Sequence, residues 1–241
     1  MSKLSNKIRK VHHSFCSCVV LAAGDSTRMG EDKLTMQLTD RSVLAETLCA
    51  LNACEAVDEL IVVTKQEKLE AVSALREEYG ITKMTKAVIG GATRTESALH
   101  GVTEVSRKAK IIAIHDAARP LVTDEIVADA VHNAVIYLAA APAVPVKDTL
   151  KTATDGMVTA TPDRAALYAV QTPQAFHADI IKAALTKAVQ SGAQYTDDCA
   201  AAEAMGVQVR LSLGSDENIK ITTPTDIAVA RAILEKRRAQ P

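Results

Sequence analysis

Two cations on one glycine-bearing loop indicate the first chemistry open to this chain. Val19 to Lys33 reads Val-Val-Leu-Ala-Ala-Gly-Asp-Ser-Thr-Arg-Met-Gly-Glu-Asp-Lys: an apolar run passes through Ala22 and Ala23 into Gly24 and then stays polar. Gly24 and Gly30 let the backbone approach a ligand closely, while Ser26 and Thr27 offer hydroxyls and amides to phosphate oxygens. Arg28 adds a planar fork and Lys33 a mobile point charge, a combination suited to a ligand with several negative charges. The loop is neither of the two commonest phosphate loops. Five residues separate Gly24 from Gly30 and Glu31 follows, which excludes the Walker pattern, and Ser26 stands where the dinucleotide fingerprint needs glycine.

A second cluster follows the apolar run Ile111 to Ile114, which suits a central parallel strand covered on both faces. The run ends in His115-Asp116-Ala117-Ala118-Arg119-Pro120. A carboxylate at the carboxyl end of such a strand, followed by small residues, is placed to hold Mg²⁺ beside phosphates, with a turn or capping aspartate as the alternative. His115 reads as a packed strand-end residue. Gly90 and Gly91 close another strand, and Arg94 and Ser97 lie one turn apart at the start of the helix that follows, where amides and dipole favour anions.

The elements that must position these groups alternate. Strand patterns at Val19–Leu21, Leu60–Thr64, Lys86–Ile89 and Ile111–Ile114 are separated by helical patterns capped by Ser42, spanning Gln66–Tyr79, and running from Thr93 to Val105. Thr123 opens another helix. From Pro142 to Pro173 the helical period disappears, and Asp155-Gly156 between Thr- and Val-rich runs signals a hairpin. We expect an arm over about 146–170, stabilised most readily by a second copy of itself. Leu167–Val170 should then re-enter the core, Thr172-Pro173-Gln174 should turn, and Ala178–Gln190 should form a helix. Asp197 and Asp198 should cap an alanine-rich helix, Val207–Leu213 alternates as a strand, Lys220 follows it, and Pro224 opens the last helix.

Composition narrows the classes. With 241 residues, 48% hydrophobic, the chain can bury one sizeable core, and we expect one α/β domain over 16–241 behind a flexible basic tail at 1–15. A net charge of -1 and 2% aromatic content argue against nucleic-acid binding, and the absence of a long apolar stretch argues against a membrane span. The five cysteines are an odd number in a chain too long to need disulfides, which fits free thiols and a cytoplasmic location. His12, His13, Cys16 and Cys18 lack the paired spacing of a zinc site.

Taken together, Leu21-Ala-Ala-Gly24 with Arg28-Met-Gly30 and Lys33, Gly90-Gly91-x-x-Arg94-x-x-Ser97, His115-Asp116-Ala-Ala-Arg119-Pro120, Val146-Lys-Asp-Thr149, Thr172-Pro-Gln174 and Asn218-Ile-Lys220 closely resemble the 2-C-methyl-D-erythritol 4-phosphate cytidylyltransferases of the non-mevalonate isoprenoid pathway. The resemblance runs in order over about residues 18–238. It implies a Rossmann-like, mostly parallel sheet with helices on both faces, a homodimer joined by a protruding β-arm, and Mg²⁺-dependent transfer of CMP from CTP to methylerythritol phosphate. It further implies catalytic roles for Arg28, Lys33 and Lys220, and nucleotide contacts from Ala22, Ala23, Gly24, Gly91 and Ser97. Asp116 would be the metal ligand. Arg119, Thr149, Thr172 and Thr196 would contact the acceptor, joined by Arg164 from the partner subunit's arm. Departures from the family pattern are a short Arg28–Lys33 spacing, Leu34 after Lys33, Ala92 where several relatives carry aspartate, and Asp197-Asp198 in place of Asp-Glu.

The residue types agree with that chemistry. A phosphate oxygen is already ionised at neutral pH, so nucleophilic attack needs positioning and charge stabilisation rather than a protein base. Two rivals remain open at this level: a cytidylyltransferase for another polyol or sugar phosphate such as ribitol 5-phosphate, and a non-catalytic nucleotide-binding regulator. Ala22-Ala23-Gly24 disfavours the first, and the complete cation set disfavours the second.

Overall fold

The structure, a computed structural model, describes residues 14–24 and 32–239. Arg28, its neighbours Ser26, Thr27 and Gly30, and the tail through residue 13 lie outside the described residues. Phe15 already belongs to the fold, since its carbonyl accepts from the Lys110 amide at 2.9 Å.

The strands are β1 (Cys16–Leu21), β2 (Glu59–Thr64), β3 (Met84–Ile89), β4 (Ile111–Asp116), β5 (Ala139–Pro145), β6 (Thr152–Thr154), β7 (Met157–Ala160), β8 (Tyr168–Val170), β9 (Gln174–His177) and β10 (Arg210–Leu213). The main sheet runs β10-β5-β9-β4-β1-β2-β3, with β8 also paired to β5. β3, β2, β1 and β4 are mutually parallel, β9 is antiparallel to both β4 and β5, and β10 is parallel to β5. The helices are α1 (Val43–Ala53), α2 (Leu69–Glu78), α3 (Arg94–Thr103), α4 (Asp124–Tyr137), α5 (Ala178–Ser191), α6 (Asp198–Glu203) and α7 (Pro224–Arg238).

The period-2 geometry of the strands sends alternate side chains into two cores. Cys16, Cys18, Val20, Leu60, Val62, Ile111 and Ala113 meet α1, α4 and α7 on one face. Val19, Ile61, Val63, Ile112, Ile114 and Phe176 meet α3, α5 and α6 on the other. Every residue of β2 and β4 is buried, as the unbroken apolar runs require. Caps appear where the sequence places them. The Ser42 hydroxyl accepts from the Ala45 amide, and Thr93 and Glu96 form a reciprocal capping box at the head of α3.

The C-terminal half corrects two expectations. Thr172-Pro-Gln174 is not merely a turn: Gln174 begins β9, a strand inserted between β4 and β5. Leu167–Val170 does not re-enter the core, because β8 is exposed throughout and pairs only along the end of β5. The hairpin is where Asp155-Gly156 predicts it. Both residues have left-handed φ, 50° and 79°, and β6 and β7 pair with each other with every residue exposed.

Helix α3 carries two of the cleft residues, and Gly101 sets its distance from the sheet. A Cβ there would lie 2.3 Å from Val19 Cγ1 and 2.6 Å from Val63 Cγ2, both fully buried side chains. Gly101→Ala gains about 1 kcal/mol of helix propensity but incurs up to about 3 kcal/mol of overpacking. We expect a net loss of about 2 kcal/mol in urea unfolding; an unchanged or higher midpoint would contradict the tight packing.

Candidate active site

A cleft of about 330 Å³ opens where β1, β3 and β4 end. Its walls include Ala22, Ala23, Gly24, Lys33, Gly91, Ser97, Asp116 and Lys220, eight positions singled out from sequence and drawn from five separate segments. Parallel strands deliver all these loops to one edge, the usual location of a ligand crevice in an open α/β sheet. Leu21 and Asp116 are register partners, and the chain keeps strand pairing one step beyond β1 through an Ala22 amide to Val63 carbonyl bond of 2.7 Å.

The paired glycines are there for close approach. A Cβ on Gly90 would lie 2.7 Å from Ala23 Cβ and 2.8 Å from Ser97 Oγ, and one on Gly91 would lie 2.3 Å from Glu96 Cβ. The Gly91 amide donates to Ser97 Oγ at 3.1 Å, which ties the glycine turn to the first turn of α3. Backbone groups and a hydroxyl thereby line the wall at a helix N-terminus, where anions are favoured.

Asp116 is the charged centre. It is 9% exposed, and its Oδ2 lies 3.0 Å from Lys220 Nζ and 3.4 Å from Arg119 Nε. Burial alone would raise its pKa, but Lys220, Arg119 and Arg94 together hold it down to about 2. Arg119 does not line the cleft; it donates to the Asn218 carbonyl at 2.8 Å and acts from behind the carboxylate.

Thr172 and His115 complete that rear layer. The Thr172 hydroxyl oxygen accepts from the Asp116 amide at 3.1 Å and lies 3.1 Å from His115 Nδ1. His115 Nε2 lies 3.2 Å from the Arg119 carbonyl. A carbonyl can only accept, so Nε2 carries the ring proton and Nδ1 accepts from the Thr172 hydroxyl. His115 is fully buried, and burial pushes its pKa down to about 4, so it is a neutral packed histidine as its strand-end position suggests.

Three acceptor candidates lie away from the cleft wall. Thr149 and Thr196 are exposed, and Arg164 is exposed in the arm, donating to the Lys147 carbonyl at 2.8 Å. Asp198 departs from the capping role expected of it. Asp197 does cap α6, accepting from the Ala200 amide, but the buried Asp198 carboxylate takes both ends of the Arg94 fork, at 2.9 and 2.7 Å. Gln174 braces this pair by accepting from the Asp198 and Cys199 amides while donating to Asp197. Nothing in a single sequence links positions 94 and 198, so this contact had no signal there.

A mostly parallel sheet whose carboxyl edge joins a glycine turn, a helix N-terminus, a buried aspartate and converging cations has the build of an α/β nucleotidyltransferase. The chain belongs to the 2-C-methyl-D-erythritol 4-phosphate cytidylyltransferase (IspD) family, whose profile matches residues 16–236. It is 43% identical over 224 residues to the enzyme of that name from Caldanaerobacter subterraneus subsp. tengcongensis, covering 91% of this chain and 99% of the relative. It is 38% identical to the one from Thermosynechococcus vestitus, covering 92% and 96%. Among solved structures, the 4-diphosphocytidyl-2C-methyl-D-erythritol synthase of Anaerococcus prevotii superposes with a TM-score of 0.81 at 30% identity, covering 93% of this chain and 100% of that one. The Thermus thermophilus cytidylyltransferase gives 0.74 at 28%, covering 90% and 98%.

His115 makes stability depend on pH in a defined window. The unfolded imidazole takes up a proton near 6.5 and the folded one not until about 4, so acid favours the unfolded chain between those values. His115→Gln removes this component, and the gap in unfolding free energy between the two proteins in metal-free buffer should narrow by about 3 kcal/mol as pH falls through the window. A gap that does not change with pH would mean that the ring is charged, or hydrated, in the native state.

Proposed function

We propose that this chain transfers the CMP group of CTP to 2-C-methyl-D-erythritol 4-phosphate, releasing pyrophosphate and giving 4-diphosphocytidyl-2-C-methyl-D-erythritol for isoprenoid precursor synthesis. The observation that carries the reading is the convergence of Asp116, Lys220 and Lys33 with the Gly91–Ser97 turn on one cleft, in a chain that matches the family almost end to end.

The acceptor's phosphate oxygen attacks the α-phosphorus of CTP, and the bond from that phosphorus to the bridging oxygen of pyrophosphate breaks. No proton need be removed first, which agrees with a cleft whose neighbouring histidine is neutral and buried. The backbone at Ala22–Gly24 and Gly91, with Ser97, would hold cytosine and ribose, and Lys33 with Arg28 would hold the triphosphate. Lys220 would move from Asp116 to the charge that collects at the α-phosphate. Arg119, Thr172, Thr149 and Thr196 would orient the acceptor, and Arg164 would reach it from a partner subunit across a β-arm homodimer. The exposed Met157 and Val158 of the hairpin, at 74% and 60%, support a partner there.

The residues fit Mg²⁺ as a companion of the substrate. Among the described residues no three His, Cys, Asp or Glu side chains are grouped to hold a metal. Mg²⁺ is usually bound by one or two carboxylates together with substrate phosphates and water, and Asp116 with a nucleotide supplies that set. Bound there, the ion would neutralise phosphate charge. We place the reaction in the cytoplasm, in keeping with five free cysteines.

Pyrophosphate release by purified protein with CTP and Mg²⁺ should occur with methylerythritol phosphate, stop with EDTA, and be negligible with ribitol 5-phosphate. Turnover only with ribitol 5-phosphate would replace the acceptor assignment. Lys220→Ala should lower kcat about 30- to 1,000-fold, from about 2–4 kcal/mol of lost transition-state stabilisation, with CTP affinity held within about tenfold. Undiminished turnover would remove Lys220 from the mechanism.

A further inference from the structure

We propose that Asn218 is a positioning residue for Lys220, and that its amide pairing with Gln171 fixes the lysine-bearing loop against the strand end that carries Asp116. The inference rests on the role given to Lys220 above. Asn218 is fully buried two residues before Lys220, and Gln171 is 7% exposed just before Thr172. The Asn218 amide nitrogen donates both to Gln171 Oε1 at 3.2 Å and to the Thr172 carbonyl at 3.0 Å. Gln171 reaches past it to the start of the same loop, donating to the Ser215 carbonyl at 2.7 Å and accepting from the Ser215 amide at 3.2 Å. The Asn218 carbonyl accepts from Arg119, the residue that also backs Asp116.

The loop that bears Lys220 has no helix or strand between Leu213 and Pro224, and beyond the lysine its backbone is held by the Ile221 amide, which donates to the Ala118 carbonyl at 2.8 Å. Before the lysine its position comes from the side-chain cross-links, and the bonds to Thr172 and Arg119 end on residues already in contact with Asp116. Thr172 Oγ1 accepts the Asp116 amide, and Arg119 pairs with the carboxylate. The Asn218 side chain therefore ties the backbone that carries Lys220 to Gln171 and Thr172 beside the strand end of Asp116, through bonds that a shorter side chain cannot make, while the lysine side chain itself can still swing toward substrate.

The Asn218 Oδ1 atom is buried without a hydrogen-bond partner among the described residues. Leaving such an acceptor unpaired costs stability, so the site is not one that maximal stability would select. The placement of the donor side of the amide is what the fold retains.

The test is a double-mutant cycle in the full protein, reading kcat by pyrophosphate release, CTP affinity by calorimetry without acceptor, and folding by thermal melting. Asn218→Ala should lower kcat about 10- to 100-fold while CTP affinity stays within threefold. In the Lys220→Ala background the same change should alter kcat by less than threefold, because a residue that acts through the lysine has nothing left to position. Gln171→Met, which removes the pairing from the other side, goes through the same cycle and decides the matter if Asn218→Ala does not melt cooperatively. An equal loss in both backgrounds, or full turnover in a folded variant, overturns the positioning role and leaves Lys220 in place. Turnover that survives Lys220→Ala alone overturns the reading of Lys220 and this inference with it.

Discussion

A carboxylate held at the end of a central strand must be compensated, and that requirement organises the site. Asp116 sits on one of the two strands buried throughout, where an isolated charge is expensive to bury. Its compensation comes from near and far along the chain: Arg119 three residues on, and Lys220 more than a hundred residues later. The cations are more than a neutralising counterweight. Because they hold the carboxyl ionised down to about pH 2, Asp116 is a permanent anion in the working range, and both cations stay oriented by it.

The topology explains how Thr172 and Gln171 reach this point. β1 to β4 all run one way, so their carboxyl ends share one edge. β9 runs the other way, with Gln174 paired to Ile114, so the residues entering β9 lie at the same edge. Thr172 is brought to Asp116 and His115 for that reason, and Gln171 meets the lysine loop for the same one. A parallel strand in that position would have put its entry at the opposite edge.

What the sequence discloses follows from which forces are local. Cleft residues on β1, β3 and β4 could be read directly, because each is the polar end of an apolar run, and capping at Ser42 and Thr93 depends on residues within one turn. The Asp155-Gly156 hairpin was legible because left-handed φ restricts the residue types allowed there. β9 was not legible: it has four residues, it follows a proline, and it is held between β4 and β5, strands that precede it by tens of residues. The Arg94–Asp198 pair and the Gln171–Asn218 pairing escaped for the same reason. Their partners are separated by 104 and 47 residues, and polar side chains at such distances leave no periodic trace.

Charge accounting connects the site to its ligands. Around the cleft, Arg94 faces Asp198 while Arg119 and Lys220 both face Asp116, so these three cations exceed their two partner carboxylates by one positive charge. Arg94 adds little free charge to that excess, because Asp198 takes both ends of its fork; it serves more to lock α3 against α6. A cleft loaded with unopposed cations would repel itself when empty. Pairing Lys220 with Asp116 avoids this and, on the mechanism proposed above, leaves the lysine beside the place where negative charge would develop. A triphosphate and a phosphate monoester together carry more negative charge than the excess can match, which is the electrostatic ground for expecting a divalent ion to enter with the nucleotide at Asp116.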